Sequence, residues 1–148
     1  MNFETSTRNC RHTRLTNGIF EFIFFNNDRS SADEFFAILD KYFSALERDE
    51  IQIPVAHVLI ELRQAGMPPV AYMSGRYRDF LIRYKGNLPP TRFVYLYTSG
   101  FMVSIVRTFL AFIPERNTVQ RQSFHVSERE KAETWLLDEV ESTSGTHS

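Results

Sequence analysis

This chain predicts an α/β fold built on one mostly parallel sheet, and three observations point to it. Residues 92–98, RFVYLYT, are a β-prone run suited to burial; Ser99-Gly100 breaks it, and the apolar helical stretch 101–113 follows at once, closed by Pro114. A buried strand turning directly into an apolar helix is half of a strand-helix-strand unit. β-prone and amphipathic runs also alternate along the chain, giving the order ββαβαβαβα. Finally, Asn17-Gly18 lies between two β-prone runs, the signature of a hairpin with a two-residue type I′ turn. The hairpin sets the first strand antiparallel to strands that helical crossovers make parallel.

The elements follow in order. Residues 1–11 are mostly polar and are expected to be flexible. Residues 19–25, IFEFIFF, end in nearly continuous apolar side chains and belong deep in the sheet. Ser31 and Glu34 form the S-x-x-E pattern of a capping box, opening a helix over 31–48. Phe35, Phe36, Leu39, Tyr42 and Phe43 share one face of that helix, and Asp33, Asp40 and Lys41 lie opposite. Residues 55–62, VAHVLIEL, read as a strand, and 69–85 as a second helix with Met73, Tyr77, Phe80 and Leu81 on its apolar side. Residues 117–126 form a more polar strand nearer an edge. A second S-x-x-E, Ser127 to Glu130, opens a last helix carrying Ala132, Trp135, Leu136 and Val140 on one side. The tail, 142–148, has the composition of disorder.

Composition narrows the function. At 148 residues the chain is one domain, with a core that needs no metal or disulfide. Its 14 phenylalanines predict a large core, or a core plus an apolar pocket or contact surface. A net charge of −1 argues against nucleic-acid binding through bulk positive charge. A single cysteine, Cys10, excludes an internal disulfide and a cysteine-built metal site. The amino-terminal residues lack the apolar stretch of a signal peptide, and no run is long enough to cross a bilayer, so the expected location is the cytoplasm.

Few residues point to chemistry. Ser99 and Gly100 stand where a strand end meets a helix amino terminus, whose amides and dipole suit a phosphate or carboxylate; the alternative is that Ser99 or Thr98 merely caps the helix. The apolar arc of the 101–113 helix spans about 200°, more than docking on a sheet requires. The excess lies on the Val103, Arg107 and Leu110 side, suited to packing within the fold, to an apolar pocket, or to a dimer or partner surface. Arg76 and Arg83 border one edge of the 69–85 helix's apolar face and Arg78 and Lys85 the other, as long side chains do beside a docked face. The four histidines have no metal-ligand spacing, and no pattern of a nucleotide site occurs, so no cofactor is expected. Glu61, near the end of an inner strand, is expected to bind an arginine or a backbone amide.

The order of elements resembles the STAS-like, SpoIIAA-like family, which includes bacterial anti-sigma-factor antagonists. Val106-Arg107-Thr108-Phe109, then Pro114, then Ser127 and Ala132-Glu133-Thr134-Trp135-Leu136 look like the ending of its small bacterial members. The resemblance covers about 12–141. That family's phosphorylation turn, Asp-Ser-Ser/Ala-Gly, has its nearest counterpart in Tyr72-Met73-Ser74-Gly75. Tyr72 replaces the aspartate and Met73 the phosphorylated serine, which counts against a phosphorylation switch. The resemblance implies no catalytic set and action by binding a protein partner or a hydrophobic or anionic small molecule; the leading expectation is a regulatory module, monomeric or homodimeric, that meets a protein partner. Met73, Ser74, Gly75 and Arg76, the Ser99-Gly100 turn, and the Val103, Arg107, Leu110 stripe are its candidate contacts. The alternative expectation is a carrier or sensor that holds a hydrophobic small molecule between the 101–113 helix and the sheet.

Overall fold

The computed structural model describes residues 5–48, 55–63, 68–84, 90–111 and 119–138. The expected order of elements is present, with one short strand added in front. β1 (Thr5–Ser6) pairs antiparallel with β2 (Cys10–Arg14), and β2 pairs antiparallel with β3 (Phe20–Phe24). β4 (Ala56–Leu62), β5 (Thr91–Tyr97) and β6 (Val119–His125) extend β3 in parallel, giving the sheet order β1-β2-β3-β4-β5-β6. The more polar last strand is at the edge, as its composition predicts. Helices α1 (Arg29–Glu47), α2 (Val70–Arg83) and α3 (Gly100–Ala111) make the crossovers, and α4 (Arg129–Leu137) follows β6.

Every crossover steps one strand in the same direction. Right-handed crossovers of that kind put their helices on one face of the sheet. The packing agrees: Phe20, Phe22, Phe24, Ile60, Phe93 and Tyr95 join the buried residues of α1, α2 and α3 in the larger core. The alternate strand residues Leu59, Val94 and Leu96, with Ile19 just before β3, point to the other face, where Ala132 and Leu136 of α4 cover them. The many phenylalanines fill the three-helix side. Phe22 meets Phe35 edge-on at 4.7 Å, and Phe43 meets Phe80 at 5.3 Å, bringing α1 against both the sheet and α2.

Four local expectations are corrected. The hairpin turn has three residues, because the Gly18 amide donates to Leu15 O (2.9 Å) and the Leu15 amide to Ile19 O (2.8 Å). Gly18, at φ 90°, takes the left-handed position that this longer turn needs. Ser31 does not cap α1: its hydroxyl donates to Asn26 Oδ1 from inside the helix. Glu34 instead accepts from Thr7 (2.5 Å) and from Asn9, which ties down residues expected to be flexible. The second capping box is shifted to His125 and Glu128, where His125 accepts from the Ser127 amide and Glu128 from the His125 amide. That box opens a 3-10 turn, Val126–Glu128, ahead of α4. Pro114, Val140 and the 142–148 tail lie outside the described residues.

Candidate functional site

Ligands in open α/β sheets settle at the carboxyl ends of strands where the strand order reverses. Here β3 to β6 run in unbroken sequence order, so the sheet has no such crevice. The Ser99-Gly100 turn is used locally. The Met102 amide donates to Ser99 O at 3.1 Å and approaches Ser99 Oγ at 3.4 Å, while the Thr98 hydroxyl and amide lie 3.4 and 3.5 Å from Met102 Sδ. Ser99 is therefore a helix cap, and exposed Gly100 is the first residue of α3.

The remaining candidates separate. Met73 (1% exposed) and Ser74 (4%) are buried in α2, so neither offers a contact surface. The Ser74 hydroxyl has no hydrogen-bond partner among the described residues. Gly75 and Arg76 are half-buried, Gly75 on the outer side of α2 and Arg76 at the border facing α1. On α3, Val103 is half-buried and Arg107 exposed; the Leu110 side chain lies outside the described residues. The space between α3 and the sheet is filled by buried Met102, Val106 and Phe109, with Phe109 against Tyr95 at 5.9 Å. A carrier holding its ligand there would need α3 to move.

A groove of about 210 Å³ lies between α1 and α2. Phe36 and Phe80 form its apolar floor, Ala37 opens onto it, and Asp40, Arg76, Asp79 and Arg83 form its walls. It exists because the two helices place charges at the borders of their apolar faces, where the faces diverge above the Phe36–Phe80 contact (6.4 Å between rings). Three of the four charges are already engaged. Arg83 pairs with Asp40 at 3.0 Å, and Asp40 also accepts from the Tyr84 hydroxyl at 2.6 Å. Arg76 approaches Asp33 at 3.4 Å, with its guanidinium carbon 5.6 Å from the Phe36 ring centre. Asp79 has neither hydrogen bond nor ion pair among the described residues. Pockets that enclose a small molecule run to roughly 300–1,000 Å³. This groove is smaller, and it suits a single side chain.

The opposite face of the sheet carries a half-buried ion network. Arg129 donates through Nη2 to Glu21 at 2.5 Å, through Nη1 to Glu61 at 3.4 Å and through Nε to Glu133 at 2.8 Å. Glu61 also accepts from Arg63 Nε at 2.6 Å. Burial works against the Arg129 charge, but the bonds to Glu133 and Glu21 outweigh it and hold the guanidinium even more firmly protonated than usual. Glu61 is thus held by arginines, as its position predicts. This cluster pins α4 to β3 and β4, and its carboxylates are occupied by that task.

Sequence reasoning singled out Arg76 and Arg83 as border charges but not the groove they share with Asp40 and Asp79. The usable signal is that both amphipathic faces carry charges at the edge of an aromatic stripe. Glu21 was also missed, although a lone carboxylate within IFEFIFF calls for a buried cation. Among the described residues no three metal-ligating side chains come together, and no helix is long and apolar enough to cross a membrane. Comparison with family models, curated proteins and solved structures finds no match.

Proposed function

We propose that the chain is a non-catalytic regulatory interaction module of the STAS-like type, acting in the bacterial cytoplasm, and that it docks a protein segment on the groove between α1 and α2. The groove itself carries the reading: an aromatic floor and one uncommitted carboxylate, Asp79, in a space sized for one side chain. A basic side chain with an apolar stem fits, laying its methylenes on Phe36 and Phe80 and its charge beside Asp79. Nearby surface suits a protein too. Ile82 is 70% exposed on α2 and Phe101 76% exposed on α3, both on the helical layer.

The test is selection of a displayed peptide library on the protein, with titration of the winners by fluorescence anisotropy. Winners should share a lysine or arginine next to an apolar residue. Ala37→Trp, which fills the groove from an exposed position, should weaken them about tenfold or more with little change in melting temperature, and Asp79→Asn should do likewise. Winners indifferent to both substitutions would place docking elsewhere and overturn the reading.

A further inference from the structure

The outward crest of α2 carries features that no contact among the described residues explains. Gly75 sits in the middle of the helix, where glycine costs about 1 kcal/mol relative to alanine. A Cβ added there would meet nothing within 4 Å, so no close approach among the described residues requires the glycine. Ile82 lies on the same crest and is largely exposed. Arg78 and Asp79 leave the crest on opposite flanks, being successive residues about 100° apart around the helix. Neither has an ion pair or hydrogen bond among the described residues. The Asp79 flank is the one that opens into the groove.

A helix whose Arg78 on one flank and Asp79 on the other are both unpaired among the described residues, with Gly75 and Ile82 on the crest between them, complements itself. When two copies lie side by side in parallel about a two-fold axis, opposite flanks face each other, as in parallel coiled coils. Arg78 of each copy then meets Asp79 of the other. We propose that the occupant of the groove is a second copy of this chain: a symmetric dimer packed crest to crest along α2, with the Arg78 side chain of each protomer seated in the other's α1–α2 groove against Asp79. This rests on the reading of the groove as a docking site and names its partner. Gly75 lets the two helices approach closely, and Ile82 is buried against its own mate. α2 is flanked by α1 and α3 in the helical layer, so the contact widens onto α1 at Ala37.

Sedimentation velocity from about 1 to about 300 µM tests it through mass action. The wild-type chain should pass from monomer to dimer within that range. Arg78→Asp and Asp79→Arg should each raise the dimer Kd about tenfold or more, because each sets like charges face to face. The double variant Arg78→Asp/Asp79→Arg restores opposite charges and should return to within about threefold of wild type. Both sites are exposed, so the variants keep the fold, and the double variant separates lost pairing from lost folding. A chain that stays monomeric throughout overturns the dimer, even if selected basic peptides still bind at Asp79; in that case the groove reading survives and only its occupant changes. A dimer insensitive to the single charge reversals, or not recovered by the double, also overturns it. A dimer that follows the expected pattern supports it whether or not peptides are found.

Discussion

His12 on β2 is fully buried, stacked on Phe20 and Phe22 with ring centres 5.8 and 4.5 Å away. Burial lowers its pKa from 6.5 to about 4. Between those values the unfolded chain binds a proton that the native chain refuses, so stability rises with pH across the window. The contribution is complete above about pH 6.5 and is lost progressively toward pH 4, up to about 3 kcal/mol. Urea unfolding of wild type and His12→Phe at about pH 5 and about pH 7 should show the larger pH dependence in wild type; equal dependence would contradict the assignment. Arg129 makes the complementary case. Arg129→Ala leaves the buried Glu21 carboxylate without its cation, while Glu61 keeps Arg63, and should cost about 1–3 kcal/mol. Adding Glu21→Gln should recover part of that loss, since one stranded charge is removed; a further loss would show that Glu21 is held by something else.

At the scale of elements, α2 and α4 behave differently. Gly75→Ala should stabilise the monomer thermally by about 0.5–1 kcal/mol, since its Cβ points into open space, and should weaken self-association at the same time. α4 is short and rests on Ala132 and Leu136, with Arg92 stacked 4.7 Å from the Trp135 ring and donating to Trp135 O. Leu136→Ala should cost about 2–5 kcal/mol, with amide exchange rising first in α4 while α1 to α3 stay protected. Local signals were readable where short-range physics decides and misleading where a distant partner does. Asn17-Gly18 announced a turn, but Asn-Gly serves both a two-residue loop and the three-residue loop that formed. Ser31 and Glu34 had the spacing of a capping box, yet Asn26 and the Thr7–Asn9 segment won their hydrogen bonds. Met73 fell on the apolar arc of α2, which placed it in the core whatever its neighbours in a motif suggested.

For the molecule as a whole, the sheet and its strand directions were legible because β3, β4 and β5, buried on both faces, read as nearly continuous apolar runs, while the part-exposed β6 reads as a more polar edge strand. The strand order was not, since the same alternation of elements also permits a reversal partway across the sheet. That order decides where a site can be: without a reversal there is no crevice at the strand ends, and the groove lies between helices instead. It also shapes how the chain acquires its structure. Each strand pairs only with the strand before and after it in sequence, so the sheet can grow one βα unit at a time, with modest loop-closure cost at each step. Contacts of α4 with the start of the sheet break this locality, among them Arg129 to Glu21, separated by 108 positions. It can form only after β6 has joined the sheet. Arg129→Ala should therefore leave the refolding rate almost unchanged and speed unfolding in stopped-flow measurements, so the Arg129 ion network acts as a late latch on the native state's lifetime.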